Sequence, residues 1–232
     1  MPKSAEVSST KSAPRATAAA PRSIAFEGRE LDHRMANSLQ LATDFLLFEQ
    51  FRVVDPIARA ALTAAAARLS SVGQMHRFLS AHGETTAVAF KPFVEHLAGY
   101  ISGSTGLSCT VDADLLTLKG ETAQQIAIVI NELAMNASKH AYAAGELGAF
   151  HIAAHNHGHV LRISVSDKGR GLDAAFSTGF TMGLGMTIVQ AIVRQLKATL
   201  HAENDHGAKF TFSVSIPSKH FDRSFAPRGS PF

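Results

Sequence analysis

In the segment IAIVINELAMNASKHA, Glu132, Asn136, Lys139 and His140 recur at i, i+4, i+7 and i+8. A carboxylate, an amide, a cation and an imidazole therefore share one face of a helix, while Leu133, Ala134 and Ala137 are free to face a sheet. Asn131 and Asn136 interrupt an apolar run where they weaken a helix, which points to work beyond folding. Amide oxygens suit a hard cation such as Mg2+, and a nearby lysine suits phosphate oxygens. A plain wet helix face is the competing reading.

Two glycine pairs follow. In SVSDKGRGL a strand runs into Asp167, with Gly169 and Gly171 behind it. Glycine permits a sharp turn and the close approach of a ligand, and the carboxylate can accept a hydrogen bond from an exocyclic amino group such as that of adenine. In TMGLGMTIV, Gly183, Leu184 and Gly185 open a helix whose first amides and dipole favour anions such as a nucleotide's phosphates. Alone, each pair is equally a β-turn or a helix cap. The first pair is not the dinucleotide-binding fingerprint, because Leu172-Asp173-Ala174 follows Gly171 with no third glycine and no βαβ setting. The stretch DAAFSTGFTM between the pairs has no Lys or Arg, so a nucleotide held there would have to draw its phosphate contacts from Lys139, Arg170 and the Gly183 to Met186 amides.

A fourth cluster lies far upstream, in ELDHRMANSLQ. On a helical projection His33, Asn37, Gln40 and Asp44 fall within about 60° of one another, opposite the stripe of Leu31, Met35 and Leu39. His33 is expected to be solvent-accessible, although an isolated histidine there is most simply a surface residue. Glu30 at i−3 and Asn37 at i+4 are better placed to orient it than Asp32, whose side chain points about 100° away. His155, His157 and His159 alternate, but Gly158 interrupts them and no carboxylate is near in sequence, so a metal site is not expected there.

The elements that must position these groups read in order along the chain. Residues 1–23, rich in Ala, Ser and Pro, form an expected disordered tail, and residues 218–232 a flexible one. Glu27 to Phe51 has a helical period, with Leu31, Met35, Leu39, Ala42 and Leu46 on one stripe. Val53-Val54-Asp55-Pro56 breaks it, and Ile57, Ala61, Ala64, Ala65, Val72, Met75 and Leu79 form a second stripe ending near Ala81. Such a hairpin leaves apolar surface uncovered, so a second copy completing a four-helix bundle is expected. After His82-Gly83 come a helix (90–102), strands (107–111, 116–119), a long helix (123–142), a hairpin of strands (149–155, 159–167), a helix (185–196) and a last hairpin (199–202, 209–216). The domain division is 24–83 for the helical hairpin and 84–217 for an α/β sandwich with helices on one sheet; the fold class is α+β.

Composition agrees with a folded, soluble chain. Its 232 residues are 46% hydrophobic and 18% charged, and no apolar run reaches the roughly 18 to 20 residues a bilayer span requires. The single cysteine, Cys109, can form no internal disulfide, which suits a reducing cytoplasm. The basic surplus lies in the tails: seven basic and two acidic groups sit in residues 1–23 and 217–232, leaving 15 against 17, a net of −2, in residues 24–216. A nucleic-acid partner is not expected from such a domain.

Taken in this order and spacing, the four clusters resemble the sensor histidine kinases, specifically the subgroup with a His-Arg-x-x-Asn acceptor motif (the second HisKA type) related to the HWE kinases. The resemblance spans about Phe26 to Pro217. HRMANSLQ is similar to the phosphoacceptor box, NELAMNASKHA to the N box, DKGRGL and GLGMTIV to the two glycine boxes, and LSSVGQMHRFL to the second helix of the acceptor hairpin. The resemblance implies a GHKL (Bergerat) ATP-binding domain, ATP and Mg2+ as cofactors, His33 as phosphoacceptor with Asn37 and Glu132 in the catalytic set, and Asn136 as metal ligand with help from Asn131 or Glu132. It also implies that Asn131, Asn136, Lys139, His140, Asp167, Gly169, Gly171, Gly183, Leu184 and Gly185 bind the nucleotide. A homodimer and a response regulator receiver domain as partner follow from it.

The chain departs from the pattern in three respects. It has no tryptophan, so the non-HWE relatives fit better; Ala36 and Ser38 stand where the subgroup commonly has Lys and Asn; and about 23 residues before the hairpin are too few for a sensor domain. Input is therefore expected from a sensor partner in trans. Two other readings stay open: a histidine phosphotransfer adaptor that keeps His33 but uses its second domain only for docking, and an ATPase or protein-serine kinase on the same nucleotide fold.

Overall fold

A computed structural model describes residues 22–81, 87–143, 145–173 and 183–216, without the side chains of 22–33, 79 and 81. The expected tails, apart from Arg22 and Ser23, which open the first helix, and most of the loop after Asp173 lie outside the described residues, as does the side chain of His33.

Helices α1 (Arg22–Gln50) and α2 (Pro56–Ala81) form the antiparallel hairpin. The turn is closed by Asp55, whose Oδ1 accepts from the Ile57 amide at 2.9 Å, and by Arg59, whose guanidinium donates to the Val53 carbonyl at 2.8 and 3.2 Å. The side chain of Thr63 donates to Gln50 Oε1 at 2.5 Å, and a Cβ on Gly73 would stand 3.6 Å from Leu39 Cβ, which sets the register between the two helices. The seam differs from the expected stripe. Ala36 and Thr43 are buried and Leu39 and Leu46 half-buried, whereas Met35 is 56% exposed and Ala42 is exposed; Ile57 and Ala61 of the second stripe are exposed as well. The physical reason is width: one partner helix covers an arc centred on Leu39 and Thr43, and the rest of the apolar surface is left outward.

The second unit is built on a five-stranded sheet in the order β2 (Ser108–Ala113), β4 (Ala149–Asn156), β5 (Val160–Asp167), β7 (Ala208–Ser215), β6 (His201–Asn204). Every pair is antiparallel except β2 with β4, which run parallel because a long connection through α4 (Gly120–His140) separates them. Thr117–Leu118 was expected beside the main sheet; it is β3 of a separate two-stranded ribbon with β1 (Val88–Ala89).

Alternation decides which face is covered. Phe150, Ile152 and Ala154, Leu161, Ile163 and Val165, and Phe210, Phe212 and Val214 point to one side, onto α3 (Phe90–Thr105), α4 and α5 (Leu184–Gln195). Phe93, Leu97 and Ile101 of α3, Ile126, Ile130 and Leu133 of α4, and Val189 and Val193 of α5 complete the core. The parallel pairing also brings Asp112 and Asp114 to His155, each 3.5 Å from one ring nitrogen, a proximity that sequence spacing does not reveal. Among the described residues no cluster of three or more His, Cys, Asp or Glu could hold a metal, and no helix is long and apolar enough to cross a membrane.

Candidate active site

Helix α4 presents its polar groups at the edge of the core because its apolar period is interrupted only near its C-terminal half. Lys139 and His140 in its last turn complement the helix dipole. Just beyond, the Tyr142 hydroxyl donates to the Ala149 carbonyl at 2.5 Å and accepts from the amides of Ala149 and Lys168 at 3.0 and 2.9 Å. One phenol thus ties the end of α4 to β4 and to the residue after Asp167. The Arg170 amide donates to the Ala141 carbonyl at 3.0 Å and holds the first glycine turn against the same helix end.

Between α4, that turn, the start of α5 and β7 lies a cleft of about 530 Å3, a size suited to a small ligand. Leu133, Asn136, Ala137, His140 and Ala141 line one wall, Asp167, Arg170, Gly171, Leu172 and Asp173 a second, and Gly183, Met186, Ala208 and Phe210 the rest. Asp167 is 6% exposed. Its Oδ1 accepts from the amides of Gly169 at 2.9 Å and Ala208 at 3.1 Å, which orients the carboxylate and leaves Oδ2 to accept from a ligand in the cleft. Apolar Leu133, Leu172, Met186 and Phe210 beside it suit a flat heteroaromatic ring with a donor group.

Gly171 has φ +79°, and a Cβ there would meet Asn204 Oδ1 at 2.6 Å. That oxygen accepts from the Leu172 amide at 2.7 Å while Asn204 Nδ2 donates to the Leu172 carbonyl at 3.1 Å, so β6 grips the turn. At the other end of the cleft Gly183 is the N-cap of α5 with no side-chain cap, so the first amides of a 12-residue helix are open to an anion.

The expected residues divide into three groups. Asn136, His140, Asp167, Gly171 and Gly183 line the cleft together. Glu132, Asn131 and Gly185 are buried just outside it: the Asn131 amide nitrogen donates to Met135 Sδ at 3.7 Å, and a Cβ on Gly185 would lie 2.6 Å from Glu132 Oε2 and 3.5 Å from Asn136 Oδ1. Only glycine lets α5 approach α4 so closely. The remaining residues stand apart from it. Lys139 is exposed and lines a second, smaller cleft with Thr105, Ser138, Tyr142 and Glu146; Leu184 is exposed; and the Gly169 amide serves Asp167. Lys139 and His140, neighbours on one face in projection, fall on either side of the cleft's rim because the cleft is centred on Leu133 and Ala137. On α1, Asn37 is exposed, and Gln40 donates to Asp44 at 3.0 Å, so that face is polar as expected.

Asn136, which lines the cleft, offers an amide oxygen of the kind that suits a hard cation, and Mg2+ commonly takes only one or two protein oxygens with phosphate and water completing its shell; both oxygens of Glu132 are engaged by Arg68. Sequence reasoning missed the side chains of Leu172, Met186, Ala208 and Phe210 as cleft lining, Asn204 as the clamp on Gly171, and Arg68. Arg68 donates from Nε to both Glu132 oxygens at 2.9 Å, and nothing in the sequence of α2, which also carries Arg59 and Arg77, distinguishes it.

Residues 30–105 match the family described as Histidine kinase (HisKA_2), and residues 121–220 match HATPase_c, described as Histidine kinase-, DNA gyrase B-, and HSP90-like ATPase. The chain is 30% identical over 172 residues to the sensor histidine kinase PdtaS of Mycolicibacterium smegmatis, covering 71% of this chain and 34% of that protein. It is 29% identical over 119 residues to blue-light-activated histidine kinase 2 of Erythrobacter litoralis, covering 51% and 34%. The chain spans about a third of the length of these curated relatives. The solved histidine kinase domain of an Erythrobacter litoralis blue-light activated histidine kinase superposes with a TM-score of 0.60 at 21% identity, covering 78% of this chain and 94% of that domain, a likeness of fold.

Proposed function

Since this chain belongs to the histidine kinases, by its acceptor hairpin and its ATP-binding domain of the type shared with DNA gyrase B and HSP90, we propose that it moves the γ-phosphoryl group of ATP to His33 and from there to an aspartate of a response regulator. The observation that carries this reading is Asp167: a buried carboxylate with one oxygen held by two amides and the other available in a cleft shared with Asn136 and Gly183.

In this reading Asp167 accepts from the adenine amino group, and the amides opening α5 take phosphate oxygens, with Arg170 near them. Asn136 would hold Mg2+, which would supply charge neutralisation to the phosphates. Transfer of this kind rests mainly on positioning and electrostatics. A neutral imidazole nitrogen of His33 attacks the γ-phosphorus, the bond from that phosphorus to the β–γ bridging oxygen breaks, ADP leaves, and the imidazole proton passes to a base, for which Glu132 is proposed. The receiver's aspartate then takes the phosphoryl group from nitrogen as the ring takes a proton back, which leaves His33 a neutral imidazole. The acceptor unit is 24–83 and the ATP-binding unit 84–217. Exposed Met35, Leu41, Phe45 and Phe48 on α1 support self-association through the hairpin. A cytoplasmic setting completes the proposal.

Incubation with labelled ATP and Mg2+ tests it. The chain should acquire acid-labile, alkali-stable phosphate, which His33→Ala and Asn136→Ala both abolish. Undiminished labelling of His33→Ala sinks the acceptor assignment, and acceptance of phosphate only from a phosphorylated regulator, with no ATP binding, replaces the kinase by an adaptor.

A further inference from the structure

A buried carboxylate beside the proposed site is engaged by the other domain's helix. Glu132 is 2% exposed, and both its oxygens accept from Nε of Arg68, on α2 of the hairpin, at 2.9 Å. The guanidinium reaches under the start of α5: a Cβ on Gly185 would stand 3.2 Å from one terminal nitrogen of Arg68. Arg68 is therefore wedged between the N-box helix and the second glycine box, although it belongs to the other domain.

The hairpin register shows where this docking lies along the bundle. Leu39 faces Gly73 and Gln50 faces Thr63, so Arg68 stands level with Asp44 and Phe45. His33 lies eleven or twelve residues further along α1, or about 17 Å at 1.5 Å per residue. Helical side chains lean towards their own N-terminus, which for α2 is the turn end, so Arg68 draws Glu132 away from His33 rather than towards it. A copy related by a twofold axis along the bundle would carry its own acceptor at the same level, so the gap persists whether transfer occurs within one chain or between two.

We propose that Arg68 is a positioning residue that parks the ATP-binding domain low on the hairpin through its ion pair with Glu132, so that phosphoryl transfer to His33 requires this pair to open. This rests on the kinase reading for its functional consequence, while the latch itself is a contact between domains. Burial makes the pair effective: without the guanidinium, Glu132 is an uncompensated charge in a dry site and regains solvent only if α4 lifts from α2. Opening frees the carboxylate and the domain together. A coupling of this kind shifts a two-state equilibrium by roughly fivefold or more.

The test uses the full chain with Arg68→Gln, which keeps the stem and an N–H donor but not the charge, and Arg68→Lys, which can restore an ion pair. Circular dichroism and thermal melts establish that each variant is folded. Hydrogen exchange of residues 66–72 and 130–137 is measured alongside the phosphorylation rate at saturating ATP and Mg2+. Arg68→Gln should speed exchange in both segments and raise the phosphorylation rate about fivefold with KM for ATP unchanged within about twofold, and Arg68→Lys should stay close to wild type. Unchanged exchange in Arg68→Gln, or a lower rate at unchanged KM, overturns the latch. If wild type and Arg68→Gln both fail to label His33 while exchange in the two segments still rises, the kinase reading fails and the latch stands; labelling of wild type with unchanged exchange removes the latch and leaves the kinase.

Discussion

The amide of Ala208, at the start of β7, donates to Oδ1 of Asp167, at the end of β5, 3.1 Å away. Two strands adjacent in the sheet thereby aim a carboxylate into the cleft, and the aim depends on Asp167 accepting at both oxygens. Asp167→Asn puts a donor at one of them. If the amide nitrogen turns to the cleft, it meets an adenine donor; if it turns to the backbone, it meets two N–H groups. Titration calorimetry with a non-hydrolysable ATP analogue should show weakening of about tenfold to a hundredfold, the size of a lost hydrogen bond to a charged group. An affinity within twofold of wild type removes Asp167 as the adenine acceptor.

Gly171 and Asn204 make a second prediction, on stability. The φ of +79° is costly for a residue with a Cβ, and that Cβ would displace the Asn204 side chain that grips Leu172. Gly171→Ala should lower unfolding stability in urea by about 1–3 kcal/mol. Asn204→Ala should leave the fold intact and weaken nucleotide binding by loosening the turn. If Gly171→Ala is neutral, the turn has an alternative conformation.

Phe45 and Phe48, both 62% exposed on α1, address assembly. Light scattering of the full chain should give a dimer, and Phe45→Glu with Phe48→Glu should give a monomer that still binds the ATP analogue. A chain starting at residue 84 should also be monomeric. A double variant that remains dimeric places self-association elsewhere.

Cys109 gives a dependence on pH. Burial pushes its thiol above the ordinary range, outweighing the opposing hydrogen bond with Ser102. The folded state therefore holds the thiol proton more tightly than the unfolded state, so this group's contribution to stability is complete below the unfolded thiol's pKa and is lost as pH rises through the folded one. Ellman's reagent at pH 8 should react more slowly with the native chain than with the chain in guanidinium. Equal rates would show that Cys109 is open to solvent.

Local pattern made much of this molecule readable before any fold was known. The period of residues 27–51 and 123–142, the alternation of 149–155 and 159–167 and the glycines behind Asp167 each depend on neighbours within a turn or two. The observed α1, α4, β4 and β5 follow those expectations to within a few residues at most ends. Asn136, His140, Asp167, Gly171 and Gly183 were identified by type and spacing, and they share one cleft. Three matters were out of reach because they depend on distant chain segments. The arc of α1 that is buried depends on how much one partner helix covers, which is why Met35 lies outside the seam. Lys139 and His140 part company because the sheet and Leu172 set the cleft's centre, and helical angle does not. Arg68 and Glu132, 64 positions apart, meet only because α2 and α4 pack together, and a contact between domains leaves no period in the sequence of either.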